Sequence, residues 1–293
     1  MNKKDLLMIM AMDALVRTFG KQKVLNGLTA SIQPGDVVAL LGKNGAGKST
    51  LLHTILGFGV PDAGEVRLWQ TPSIAMTSQE KQKIGFVPQQ DELLEQLTGA
   101  EQLKLFRKFR PQWDQACCER LVDSWKIPLN TRIGKMSLGE RQKLSIVLAL
   151  CHQPELLILD EPVASLDPMA RRQFLAELID IAALQQRGII FSSHIVSDME
   201  RIANQVWLLK NGELAFQGPL DDLKESVVRL HFPQSLTEIP HDLRVVRRQQ
   251  LGHSTTLTVQ NWQPAQLTAL QSDYPQLRVE YLSLEEIFLE LNR

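Results

Sequence analysis

Gly42-Lys43-Asn44-Gly45-Ala46-Gly47-Lys48-Ser49 matches the pattern G-x-x-x-x-G-K-[ST]. Such a run does phosphate chemistry. The glycines let the backbone bend so that successive N–H groups point inward at phosphate oxygens. A helix opening at the end of the loop adds its positive pole. Lys48 is placed to reach the β- and γ-phosphates, and the Ser49 hydroxyl to ligate Mg²⁺. Alone, the motif says that a nucleotide phosphate binds and no more.

A second cluster follows far along the chain. Leu156-Leu157-Ile158-Leu159 is an apolar run closed by Asp160 and Glu161. Carboxylates at the carboxyl end of a buried parallel strand lie beside the ligand crevice of an α/β sheet. Asp160 suits Mg²⁺, and Glu161 suits polarising a water for in-line attack on the γ-phosphate. A glutamate directly after the aspartate points to hydrolysis rather than nucleotide binding alone.

These groups need a scaffold. Val37–Leu41, Leu156–Leu159 and Gly188–Phe191 are continuous apolar runs, the pattern of strands buried on both faces. Helical stretches lie between or beside them at Ser49–Leu56, Leu138–His152 and Met169–Gln186. The alternation predicts an α/β fold. Thr98 to Lys126 is helical in composition and predicts an inserted helical subdomain within about 90–150. The first twelve residues, with Lys3, Lys4 and the apolar run Leu6–Met12, read better as a first strand than as a signal peptide: no small-residue cleavage site follows. After Gly218-Pro219 the character changes. Val227–Phe232, Arg244–Arg248, Thr255–Val259 and Leu277–Tyr281 predict short strands, and Ser283 with Glu286 predicts a capped helix over Leu284–Asn292. The division expected is 1–220 for the nucleotide-binding domain and 221–293 for a small α+β accessory domain.

Composition narrows the function classes. The 293 residues carry 32 Lys plus Arg against 33 Asp plus Glu, a net charge of -1, so bulk charge gives no reason to bind nucleic acid. No stretch approaches the roughly 18–20 apolar residues that span a membrane. Cys117, Cys118 and Cys151 form neither a disulfide framework nor a Cys-x-x-Cys zinc pattern, and a reducing, cytoplasmic location is expected.

Between the two clusters stands Met136-Ser137-Leu138-Gly139-Glu140-Arg141-Gln142. It resembles the signature sequence of ABC-type ATPases, commonly written LSGGQ. Gly85-Phe86-Val87-Pro88-Gln89-Gln90, Ser165-Leu166-Asp167-Pro168 and Ser192-Ser193-His194 are similar to that family's Q-loop, D-loop and H-loop, in the family's order. Phe19, in Arg17-Thr18-Phe19-Gly20, matches the aromatic that stacks on adenine; the competing reading is a core Phe ending the first strand. The resemblance covers about 1–220. It implies ATP held by Phe19, Gly42, Asn44, Gly45, Ala46, Gly47, Lys48, Ser49 and Thr50, and Mg²⁺ held by Ser49, Gln89 and Asp160. It further implies that Glu161, His194, Lys48 and Gln89 carry hydrolysis, and that Ser137 and Gly139 complete the ATP site of another subunit in a head-to-tail dimer.

Read from the residues alone, Ser137 with Glu140 three positions on is a capping box, so a helix starts there. The sequence departs from the family where its first signature glycine is Leu138 and its glutamine is Glu140. The resemblance further implies separate membrane-spanning permease subunits, a homodimer or heterodimer of ATPase subunits, and peripheral attachment to the inner membrane face through the permease. Ser283-Leu284-Glu285-Glu286-Ile287-Phe288, Pro111-Gln112-Trp113-Asp114 and the run Ser193–Glu200 resemble subunits that serve bacterial drug, antibiotic-peptide or natural-product exporters. A soluble regulatory ATPase of the same family is the alternative. The accessory domain is either a passive packing module or a regulatory and partner-binding one.

Overall fold

The computed structural model describes residues 8–185, 187–236, 238–240 and 242–292. The chain runs through β1 (Met10–Phe19) and β2 (Gln22–Ile32) into β3 (Val37–Leu41), then α1 (Lys48–Ile55). It returns through β4 (Ala63–Leu68), β5 (Thr71–Pro72), α2 (Ser78–Gln82) and β6 (Ile84–Val87). Three helices follow, α3 (Gly99–Arg107), α4 (Gln115–Ser124) and α5 (Leu138–Leu150). Next come β7 (Leu156–Asp160), α6 (Pro168–Gln185), β8 (Gly188–Ser192), α7 (Val196–Ile202), β9 (Gln205–Lys210) and β10 (Glu213–Pro219). The last part contains α8 (Leu220–Ser226), β11 (Val227–Phe232), β12 (Arg244–Leu251), β13 (Ser254–Gln260), α9 (Pro264–Asp273), β14 (Arg278–Tyr281) and α10 (Leu284–Leu291).

A six-stranded sheet of order β10-β9-β3-β8-β7-β6 forms the centre. It is parallel from β9 to β6, with β10 antiparallel at one edge. All five residues of β3, of β7 and of β8 are buried, as continuous apolar runs demand of strands covered on both faces. Alternate residues feed two cores. Ala39, Leu157, Leu159, Ile189 and Phe191 pack with α4, α5 and α6 residues such as Leu121, Ile146 and Phe174. Val38, Leu40, Ile158 and Ile190 pack on the other face with α1 residues Leu51, Leu52 and Ile55 and with the antiparallel sheet β2-β1-β4-β5. The expected first strand begins at Met10; residues 1–7 of the N-terminal run lie outside the described residues.

The third sheet, β12-β13-β11-β14, has its own core of Val228, Leu230, Phe232, Leu257 and Val259. Its strands agree with the expected ones, with β12 running three residues further, to Leu251. Between β13 and β14 stands α9, which the sequence reading did not anticipate; no residue of it is fully buried. Leu284 and Ile287 of α10 are buried in the same core as Val196 and Met199 of α7, so the last helix packs on the central body. Lys210 Nζ donates to Leu291 O at 2.6 Å, and Leu284 N donates to Glu200 Oε2 at 3.2 Å, fixing both ends of α10 there. No helix among the described residues is long and apolar enough to cross a membrane.

Candidate functional site

The parallel register lines up the ends of three strands. Leu40 of β3 pairs with Ser192 of β8, which pairs with Asp160 of β7. The Gly42–Ser49 loop, His194 and Glu161 therefore all emerge from one edge of the sheet. This is the carboxyl edge, where an α/β sheet binds ligands. Val87 of β6 pairs with Leu159, so Gln89 leaves the same edge, exposed to solvent.

Two of the loop glycines cannot be replaced cheaply. Gly47 caps α1 at φ 104°, a conformation costly for other residues, and a Cβ there would lie 3.0 Å from Val24. A Cβ on Gly42 would come 2.8 Å from Leu209 O, so β9 closes one side of the loop. Lys48 Nζ donates to Gly42 O at 2.8 Å and Lys43 O at 3.3 Å, folding the ammonium across its own loop. Partial burial pulls the Lys48 pKa below the ordinary lysine value, opposed by the negative charges of Glu161 and Asp160. That opposition places the lysine within electrostatic reach of both carboxylates.

Asp160 is 2% exposed and Glu161 8%. Ser192 serves both: its Oγ donates to Asp160 Oδ1 at 2.6 Å and accepts from Glu161 N at 2.9 Å. The chain turns sharply between the carboxylates, because Glu161 sits at φ 52° in the left-handed region. Asp160 thus continues the strand while Glu161 is carried toward β8. There its Oε2 accepts from His194 N at 3.1 Å and faces His194 Nδ1 at 2.8 Å. In this contact Nδ1 donates and the carboxylate oxygen accepts, which leaves Nε2 without a role in the pair on a side chain that is 58% exposed.

The signature residues occupy the start of α5. Ser137 is the N-cap, and its box with Glu140 forms as expected. A Cβ on Gly139 would lie 3.0 Å from Ser165 O, so the helix start packs on the loop after Glu161. Three residues inside α5 reach the neighbouring loops. Arg141 pairs with Asp91 at 3.1 Å, two residues beyond Gln89. Gln142 Nε2 donates to Pro162 O at 3.1 Å, and Lys143 pairs with Asp167 at 3.5 Å. Among the described residues, no hydrogen bond or ion pair joins 137–140 to 42–50.

Phe19 ends β1 with 54% of its surface exposed, which removes the reading of it as a core residue. The Arg17 guanidinium lies 5.0 Å from its ring centroid. The structure thus brings Lys48, Asp160, Glu161 and His194 together at one edge. Sequence reasoning missed Ser192 as the hub between the carboxylates, although it lies two residues before His194. It also missed Arg141 and Gln142 as ties from α5 to the loops; a charged and an amide residue one turn into a helix gave no local signal.

The donor set suits Mg²⁺. Ser49, Asp160 and Gln89 offer hydroxyl, carboxylate and amide oxygens, hard ligands of the kind magnesium takes alongside phosphates and water. Among the described residues, no group of three or more His, Cys, Asp or Glu side chains forms a metal site of its own.

A family model described as "ABC transporter" matches residues 25–164. The Nod factor export ATP-binding protein I of Burkholderia orbicola (strain AU 1054) is 30% identical over 287 residues, 94% of this chain and 94% of that protein. The bacitracin transport ATP-binding protein BcrA of Bacillus licheniformis is 30% identical over 213 residues, 72% of this chain and 70% of that one. A solved ATP binding subunit of an ABC transporter superposes with a TM-score of 0.68 at 30% identity, covering 73% of this chain and 91% of that chain. With the loop, the paired carboxylates and the signature helix arranged around one sheet edge, this chain belongs to the ATP-binding proteins of the ABC transporter family.

Proposed function

We propose that this chain is the ATP-hydrolysing subunit of an ABC exporter, working as a dimer beneath separate membrane-spanning permease subunits. The observation that carries the reading is the Glu161–His194 pair, poised at the sheet edge beside the phosphate loop. The relative named for Nod factor export supports an exporter over an importer.

Lys48 and the loop amides of Gly45, Ala46, Gly47, Ser49 and Thr50 hold the triphosphate. Lys48 exchanges its two carbonyl contacts for phosphate oxygens, a charge-assisted gain. Phe19 stacks on adenine. Ser49, Asp160 and Gln89 hold Mg²⁺, which neutralises phosphate charge when bound. Glu161 orients and activates the attacking water, while His194 holds Glu161 through Nδ1 and turns Nε2 toward the γ-phosphate. Ser137 and Gly139 offer the start of α5 to the ATP of the other subunit. Residues 1–220 form the motor and 221–293 an accessory domain attached through α10.

The test is Glu161→Gln. It is expected to retain ATP binding and to slow hydrolysis about 10²–10⁴-fold, the usual contribution of a general base. Near-normal turnover would remove the assignment.

A further inference from the structure

The start of α5 has four donors that a phosphate could use: Ser137 N–H, Ser137 O–H, Leu138 N–H and Gly139 N–H. The next amide, Glu140 N–H, goes to Ser137 Oγ at 3.3 Å, and Arg141 N–H to Ser137 O at 3.0 Å. Glu140 takes two of the four. Its Oε2 accepts from Ser137 N at 2.7 Å and from Ser137 Oγ at 2.8 Å. A hydroxyl has one proton, so Ser137 cannot donate to this carboxylate and to a phosphate together. The same box opens α2, α3 and α10, where Thr77, Thr98 and Ser283 are engaged by Glu80, Glu101 and Glu286. There Glu80 also accepts from Thr71 and Glu286 also pairs with Arg229; at α5 the box stands where an incoming phosphate needs the donors.

Charge acts in the same direction. A carboxylate at the first turn is stabilised by the helix pole, and so is a phosphate. The two compete for one pole and repel each other. Arg141 and Lys143, the cations of the first two turns, are paired with Asp91 and Asp167.

We propose that Glu140 is an internal competitor of the γ-phosphate at the signature end, so that it raises the ATP concentration needed to close two subunits on each other. The proposal rests on the reading that Ser137 and Gly139 complete the partner's ATP site. Closing requires the Ser137 hydroxyl to leave Glu140 and the carboxylate to swing away. Glu140 is a positioning residue: it acts through Ser137.

Glu140→Gln is the discriminating variant, because a glutamine also serves the box and keeps the helix start while removing the charge. ATP is titrated, with Mg²⁺, into the full chain carrying Glu161→Gln, and dimer formation is followed by sedimentation. Adding Glu140→Gln is expected to lower the half-maximal ATP concentration about tenfold, the scale of the difference between a charged and a neutral acceptor competing for the Ser137 hydroxyl. The melting temperature without nucleotide stays unchanged, as a purely structural cap would not allow a shift in ATP dependence alone. Ser137→Ala in the same background separates the two levels. If Ser137→Ala weakens dimer formation while Glu140→Gln leaves the midpoint unchanged or raises it, the competitor role of Glu140 is overturned alone. If Ser137→Ala has no effect, the underlying reading of the signature end fails, and this proposal with it.

Discussion

Glu161 and His194 meet through two hydrogen bonds to one oxygen: Oε2 accepts the His194 backbone N–H at 3.1 Å and faces its Nδ1 at 2.8 Å. The left-handed turn at Glu161 and the loop after β8 both serve this meeting. Groups that act as a unit give non-additive losses. His194→Ala is therefore expected to slow ATP hydrolysis steeply, and the double variant with Glu161→Gln to be hardly slower than the worse single one. Single-turnover hydrolysis by the three proteins measures this; losses that multiply would show two independent contributions.

What was legible in the sequence were features whose physics is local. The phosphate loop needs glycines at fixed steps, and Gly42 and Gly47 are indeed hemmed in by Leu209 and Val24. The box at Ser137 is a three-residue contact, and it formed. The apolar runs of β3, β7 and β8 told of two-sided burial because no polar residue interrupts them. Long-range pairs were not legible. Ser192 joins Asp160 and Glu161 only because β8 lies next to β7, and strand order is not written in either strand. The helix α9 escaped because its apolar stripe is short, Leu267 and Leu270, and only half-buried against the core of the third sheet; its start is fixed by the Gln263–Gln266 box and Pro264.

Lys48 sets an alkaline limit. Its pKa is lowered by burial, so the cation is lost at a lower pH than in an ordinary lysine. Bound phosphates favour the cation and push the limit back up. The plot of kcat/KM against pH, which reports the free enzyme, is expected to fall on the alkaline side before the plot of kcat does. Coincident alkaline limbs would contradict the assignment of the limit to Lys48.

Phe19→Ala is expected to raise the KM for ATP several-fold and leave the nucleotide-free melting temperature almost unchanged, since the ring is more than half exposed. One aromatic face offers area without base-specific hydrogen bonds, so GTP and ATP are expected to be poorly distinguished. Competition of GTP against ATP, with melting curves in parallel, checks both points.

Ile287→Ala probes the attachment of the last helix. The side chain is fully buried in the core it shares with α7, so truncation is expected to cost about 2–5 kcal/mol of local stability. Because α7 begins just after His194, the loss is expected to reach the site. Hydrogen exchange of α7 and α10 together is the readout; faster exchange confined to α10 would show that the accessory part is energetically separate.

The segment after Gln89 is tied to the signature helix by the Asp91–Arg141 pair, whose aspartate side chain is 10% exposed. A partly buried pair resists screening better than a surface one, so displacement of the Gln89 segment must be felt by α5. Gln89 itself is exposed at the sheet edge and lies in the segment that leads from β6 into α3 and α4. If a permease docks on those helices, its docking and ATP binding bias the same segment and must be coupled reciprocally, by about 1–3 kcal/mol or roughly 5–150-fold in affinity. Gln89→Ala is expected to leave ATP binding by the isolated chain nearly intact and to weaken stimulation of its ATPase by the membrane partner. Asp91→Asn, which removes the ion pair but leaves Gln89 in place, is expected to weaken the same stimulation in part. The measurement is ATPase rate with and without reconstituted permease for wild type and both variants. Equal stimulation in all three would remove the Gln89 segment as the route of coupling, and a loss in Gln89→Ala alone would show that the signal does not pass through Arg141.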